Sequence, residues 1–146
     1  MSGRVTRIAA LLLLSCTLML GMSPGISSAR AIAGPPSAIR GLWRNPMRTV
    51  EVRIEECGQQ LCGVVVGAAG DAIADARDSG YPNLIGMELM RDYRADRPGH
   101  WVGTVFVPDL GHSFSSHIEL IDANHARIAG CLWRQHFCKS QVWERL

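Results

Sequence analysis

Residues 49–55 alternate strictly. Val50, Val52 and Ile54 fall on one face, and Glu51, Arg53 and Glu55 on the other, which is the period of a strand with one side in a core. Cys57-Gly58-Gln59-Gln60-Leu61 then turns the chain into residues 62–67, a β-branched run (CGVVVG), so the two segments form a hairpin. A second hairpin joins residues 101–107 (WVGTVFV) to residues 112–120 through Pro108-Asp109-Leu110-Gly111. There proline presets φ and glycine supplies the left-handed position. Residues 112–120 alternate again, with Phe114, Ser116, Ile118 and Leu120 on one face. Asp122-Ala123-Asn124 turns into a strand over 126–132, and residues 133–136 loop into a last strand over 138–145.

Two stretches read less simply. Residues 68–82 are polar and turn-rich, a surface loop or a short helix. In residues 83–94, Leu84, Met87, Leu89 and Met90 nearly follow a helical stripe, but Gly86 argues against a long helix and the segment reads as a strand. With residues 42–44 the total is eight strands. The pattern predicts an all-β protein, a small up-and-down antiparallel barrel. Residues 41–146 make the barrel domain. Residues 32–40 contain Pro35-Pro36 and read as a flexible or extended lead-in, the prolines counting against a helix start.

The beginning of the chain has a different character. Arg4 and Arg7 precede a charge-free apolar run over residues 8–22, broken by Ser23-Pro24-Gly25 and followed by Ala29-Arg30-Ala31. This is the layout of a cleaved secretory signal over residues 1–31, too short in its apolar part for the roughly 20 residues of a spanning helix. Leu13-Leu14-Ser15-Cys16 also resembles a lipoprotein box, but lipidation at Cys16 would leave the apolar residues 17–22 at the start of the mature chain. Membrane association is therefore expected only if the signal is retained or Cys16 is lipidated. The expected location is periplasmic or secreted.

Composition changes once that segment is removed. The whole chain has 146 residues, 15 Lys+Arg, 13 Asp+Glu and five cysteines. Cleavage after Ala31 removes Arg4, Arg7, Arg30 and Cys16, leaving 115 residues, 12 basic against 13 acidic side chains and four cysteines. The basic surplus disappears, and with it any electrostatic case for nucleic acid. Four cysteines in an exported chain imply two disulfides, with three possible connectivities. Chain entropy credits each local loop with roughly 2–2.5 kcal/mol and a crossed arrangement with more than about 4 kcal/mol. Bridge geometry requires Cα atoms within about 7 Å. Because Cys57 and Cys62 flank one predicted hairpin turn, and Cys131 and Cys138 another, proximity favours the two local bridges.

No catalytic constellation is visible. Ser113, Ser115 and Ser116 lie on a repetitive strand without a nucleophile elbow, Glu55 and Glu56 are adjacent and so point apart, and no phosphate-binding glycine loop is present. His112 and His117 fall on opposite strand faces, and His100, His125 and His136 are scattered. The expectation is no metal, no cofactor and no enzyme activity. Trp43, Trp101, Phe106, Phe114, Trp133 and Trp143 all lie on or beside strands, where they fill a core or line a cavity.

Gly41-Leu42-Trp43 resembles the G-x-W signature of lipocalin-like (calycin) barrels. That resemblance implies that an arginine of the last strand, Arg145, covers Trp43 in a cation–π contact. The chain is also similar, over essentially its whole mature length, to an exported bacterial family known as domain of unknown function 2147. Gly41-Leu42-Trp43-Arg44, Cys57-Gly58-Gln59-Gln60-Leu61-Cys62-Gly63, Leu84-Ile85-Gly86-Met87, Trp101 with Gly103, Pro108-Asp109-Leu110-Gly111, Gly130-Cys131 and residues 138–145 carry the likeness. It departs where the family's usual Tyr-Asp-Pro is Phe106-Val107-Pro108, where a tyrosine is Phe114, and over residues 71–98. The resemblance implies a lipocalin-like barrel and no established activity. The functional expectation is an exported barrel that binds a small apolar ligand or lipid, with Trp43, Val52, Phe106, Phe114 and Trp143 as walls and Gln141 as a polar contact. The rival expectation is a solid-core interaction or structural module of the cell envelope.

Overall fold

A computed structural model of the chain describes residues 35–132 and 136–146, so the signal segment, Cys16 and Trp133 lie outside the described residues. Eight antiparallel strands close into one barrel in chain order: β1 (Gly41–Arg44), β2 (Val50–Cys57), β3 (Gln60–Ala68), β4 (Glu88–Arg97), β5 (His100–Val107), β6 (His112–Leu120), β7 (His125–Leu132) and β8 (His136–Arg145). Every strand expected from the hydrophobic pattern is present, and the connectivity is up-and-down throughout. Closure removes the free edges of an open sheet. All eight strands and the whole buried cluster, from Ile39 to Trp143, belong to this one unit.

The up-and-down course gives the barrel two distinct ends. At the base lie the β2–β3, β4–β5 and β6–β7 turns. They are joined by a short 3-10 turn, Pro36–Ile39. The expected flexible lead-in is thus corrected: prolines suit the first positions of a helical turn, where their missing N–H has no partner to lose, and Ile39 at the end of the turn is completely buried. At the mouth lie the β1–β2, β3–β4, β5–β6 and β7–β8 connections. The β3–β4 connection contains α1 (Gly70–Asp78), with Asp71 in its first turn and Arg77 in its last, the order that suits the helix dipole. α1 turns Ala72, Ile73 and Ala76 toward the core and touches the Pro108–Leu110 turn on β5–β6, so it crosses the mouth. Residues 68–82 therefore resolve to the short-helix alternative.

Strand β4 begins later than the pattern implies, at Glu88. Gly86 has φ +85° and Met87 N–H donates to the Leu84 carbonyl, so residues 83–87 turn before the strand starts. The register of β4 shifts between Arg91 and Arg94, where Asp92 has φ +58°. The Pro108–Gly111 turn matches expectation: Gly111 is left-handed at φ +58° and its N–H reaches the Pro108 carbonyl at 2.9 Å. Both disulfides are the local ones, Cys57–Cys62 and Cys131–Cys138.

Closure is unequal around the wall. β1 has four residues and β8 ten, and their pairing is confined to Trp43–Arg145 and Arg44–Glu144. Above that point β8 continues toward the mouth without β1 beside it, and Phe137 to Val142 are all exposed.

Candidate ligand site at the barrel mouth

Which side chains face inward follows from register. Trp101 opposes Ile118, Ile118 opposes Ile128, and all three are buried. Directly opposed residues share a face, so Gly103, Val105, Phe114, Ser116, Gly130, Lys139, Gln141 and Trp143 belong to the inner face.

Most of the interior is filled. Trp43, Val52, Val65, Met90, Tyr93, Trp101 and Ile118 are each at most 2% exposed. The Tyr93 hydroxyl donates to Ser116 Oγ at 2.6 Å, satisfying two polar groups inside the apolar core. Burial pushes the Tyr93 phenol up to about 12, with the Ser116 hydrogen bond acting the other way. Beneath this layer Arg145 closes the base. Its Cζ stands 4.3 Å from the Trp43 ring centroid, and its guanidinium donates to the carbonyls of Arg40 (2.6 Å), Ala38 (2.7 Å) and Ala123 (2.7 Å). Trp43 Nε1–H in turn reaches the Ile39 carbonyl at 2.8 Å. The contact implied by the G-x-W resemblance is therefore present, and its role is to seal.

Around Phe114 the packing is looser. Phe114 and Val105 face each other across β5–β6 and are only partly buried. Gly130 lies beside them, and a Cβ placed there would stand 3.4 Å from Val105 and 3.8 Å from Phe114, so glycine keeps this part of the wall thin. On β8, Trp143 is 9% exposed and its Nε1–H donates to Gln141 Oε1 at 3.2 Å. Above Trp143, Gln141 and Lys139 face the inner side yet are exposed, because β1 ends below them. The result is a small, partly buried apolar surface of Phe114 and Val105 beside Gly130, with Lys139 opposite Gly130 and Gln141 exposed along the gap that the short β1 leaves.

The six residues expected to line a cavity are thus separated. Phe114 lies near the mouth end of β6, whereas Gln141 and Trp143 lie further down the inner face of β8, opposite Ile128 and Ala126. Trp43 and Val52 are packed in the core, 0% exposed. Phe106 is corrected: it is five residues from Trp101 and opposes Ser113, so strand alternation turns it outward. There it packs edge-on against Tyr81 at 5.1 Å, with Arg91 5.8 Å from its ring centre. Gly130 and Lys139 appear in the sequence only as part of the family likeness, with no site role; counting faces across β6–β7–β8 assigns both to the inner wall.

Two other features sit outside the barrel. At the base a depression of about 360 Å³ is lined by Ser37, Glu56, Gln60, Leu61, Arg94 and Trp101; its charged walls are occupied, Glu56 by Arg40 at 3.0 Å and Arg94 by Gln60. On the outer wall His100 Nδ1 meets Asp96 Oδ1 at 2.5 Å and stacks on His117 at 5.5 Å between ring centres. The hydrogen bond to His100 holds the Asp96 carboxyl below its ordinary pKa, while burial, assisted by His100, lowers that of His117. Comparing residues on one strand misses this pair, because it forms across β5–β6. Cys57, Cys62 and Glu88 bring three ligand-type atoms within 4.8 Å, but both sulfurs are committed to their disulfide.

A closed eight-stranded antiparallel barrel with a tryptophan on its first strand, sealed by an arginine of its last, is a lipocalin-like architecture. The chain belongs to the family described as uncharacterized proteins conserved in bacteria (DUF2147), which it matches over residues 41–145. Its structure is similar to that of the protein HP1028 from the human pathogen Helicobacter pylori, described as belonging to the lipocalin family. The TM-score is 0.56 at 10% sequence identity, over 73% of this chain and 82% of that one. At that identity the likeness concerns the fold. No curated protein matches the sequence.

Proposed function

We propose that this protein is an exported, non-enzymatic carrier that holds a small, largely apolar molecule, an acyl chain or comparable lipid, at the mouth of its barrel. One observation carries the reading. Near the mouth the inner face presents Phe114 and Val105 beside Gly130, with Lys139 opposite Gly130 and Gln141 below it left open by the short β1. Apolar walls with a few placed polar groups are the usual make-up of a small-molecule site. Gln141 offers amide donors and Lys139 a positive charge, so the favoured ligand has one anionic or carbonyl-bearing end. The mostly filled interior limits it to a molecule that sits shallowly. Export is supported by the signal-like pattern of residues 1–31 and by two disulfides, which persist in oxidising compartments. No cofactor is needed for this role.

Titration with a dansyl-labelled fatty acid tests it. The expected result is saturable fluorescence enhancement, displaced by unlabelled fatty acid and abolished by Gly130→Leu, which fills the space beside Val105 and Phe114. Absence of displaceable binding to the folded protein would reject the reading. The packed base supports a second one, an envelope interaction module with a solid core. In that case Gly130→Leu changes nothing and a specific envelope protein co-purifies with the barrel.

A further inference from the structure

The described residues include nine large apolar side chains that remain exposed, and they are not distributed evenly. Phe137 (84%), Met47 (70%), Leu110 (67%), Leu132 (51%) and Ile85 (50%) are the most exposed of them. All five lie on or flank the connections at the mouth: Met47 on β1–β2, Ile85 on β3–β4, Leu110 on β5–β6, and Leu132 and Phe137 at β7–β8. The other four, Val102, Ile121, Val142 and Leu146, are less exposed and are spread over the wall and the base. Single exposed apolar residues need no explanation, but a set gathered at one end of a barrel does. The barrel core does not use them. Phe137 is held outward on a left-handed backbone, φ +57°, a conformation uncommon outside glycine and asparagine.

Charge divides this ring into two sides. β8 and β1 are neighbours in the wall, so Leu132, Phe137, Met47, Arg48 and Lys139 follow one another around the rim. The one carboxylate on these strand ends, Glu51, is taken by Arg44 through contacts of 2.8 and 3.0 Å, whereas Arg48 and Lys139 are exposed. The opposite side, formed by α1 and the Pro108–Leu110 turn, carries Asp71, Asp75 and Asp109, and Asp78 paired with Arg77 at 3.3 Å. Apolar tips on separate loops present no groove for a peptide; they suit a flat, yielding, apolar partner. Cations among them select one with a negative surface.

We propose that the β7–β8 and β1–β2 side of the mouth docks on the surface of an anionic phospholipid bilayer, with Phe137, Leu132 and Met47 entering the interface and Arg48 and Lys139 meeting lipid phosphates. The acidic α1 side then tilts away from the membrane. This contact shares only Lys139 with the ligand reading; Phe137, Leu132, Met47 and Arg48 lie on the rim outside the surface that Phe114 and Val105 form beside Gly130.

The test is co-sedimentation of residues 35–146, a unit that contains every strand, both disulfides and the whole core, with vesicles of phosphatidylcholine alone or mixed with phosphatidylglycerol. Retention on the mixed vesicles is expected, at least about tenfold weaker on phosphatidylcholine. Phe137→Asn, which keeps a residue tolerant of positive φ, combined with Met47→Asn, is expected to weaken retention at least about tenfold. Arg48→Glu with Lys139→Glu is expected to abolish the preference for phosphatidylglycerol, and Gly130→Leu to change nothing. Equal binding by the wild-type protein and the Phe137→Asn/Met47→Asn variant, or no binding to either vesicle, would overturn the proposal. So would a concentration-dependent dimer that Phe137→Asn dissociates, since the rim would then be covered by a second copy.

Discussion

At the residue scale Arg145 decides how the barrel ends. Its three nitrogens each donate to a different carbonyl while its plane covers Trp43, a task that needs the guanidinium's flat fork. A lysine supplies charge without the fork. Arg145→Lys is therefore expected to destabilise the protein by about 1.5–3 kcal/mol in urea unfolding. Gly41 belongs to the same unit: at φ +135°, a Cβ there would stand 2.6 Å from the Arg145 guanidinium. Gly41→Ala should be destabilising alone, and less than additive with Arg145→Lys, because both act on one seal. Tyr93 gives a second prediction at this scale. Burial raises its phenol to about 12 from an ordinary 10, so the folded state holds this proton more tightly than the unfolded chain. The contribution is complete below pH 10 and is lost as pH rises from 10 toward 12, on the order of 2–3 kcal/mol. Tyr93→Phe should cost about 1–2 kcal/mol at neutral pH by orphaning the Ser116 hydroxyl, yet remove the alkaline fall, as read by urea midpoints across that range.

At the scale of elements, the strands were legible wherever two-residue alternation was unbroken, as in β2 and β6, and wherever a turn had its own chemistry, as at Pro108–Gly111. Legibility failed where a backbone state or a distant partner decides. Gly86 could be noticed in the sequence, but only its positive φ shows that residues 83–87 turn before β4. Asp92 gives no sequence sign of the left-handed conformation at the β4 irregularity. The His100–His117 stack exists because β5 and β6 pair with Val102 opposite His117, a register that no single strand reveals. That pair carries a prediction. Burial, with the charge of His100 adding to it, lowers the His117 pKa from 6.5 in the fold, so on acidification the unfolded chain binds this proton first. The stability is complete above pH 6.5 and declines as pH falls below it. His117→Gln should flatten the slope of the unfolding midpoint below pH 6.5 while leaving the lower window, set by the depressed Asp96, in place.

At the scale of the whole molecule the short β1 governs the rest. The pattern around residues 42–44 announced a strand, and the composition of β8 announced a longer one. That two strands of four and ten residues would close the barrel against each other is a property of topology, and it creates the gap beside Lys139 and Gln141. The candidate site was legible to the same degree. Phe114 and Gln141 were found by residue type, but which residues of the inner face lie deep and which stand exposed is fixed only by register and by where β1 stops. The gap has a measurable signature. β8 pairs with β7 from His136 to Glu144, whereas β1 meets this end of the chain at Glu144 and Arg145 and through the Leu146 N–H, which donates to the Leu42 carbonyl. Along an antiparallel strand, successive backbone amides point alternately to the two sides. Between Phe137 and Val142, every second amide therefore turns to β7 and the others to the gap. Native-state hydrogen exchange is expected to alternate along this segment, protected and unprotected by turns, while residues 115–120 of β6, paired with both β5 and β7, are protected continuously. A bound acyl chain lies against side chains of the inner face and takes no backbone hydrogen bonds, so the alternation should survive ligand loading. If instead an added strand, from a peptide or a second copy, is what closes the gap, the unprotected amides become protected and the alternation disappears. The same measurement thus separates a barrel whose gap serves as an entrance from one whose gap is completed by a partner strand.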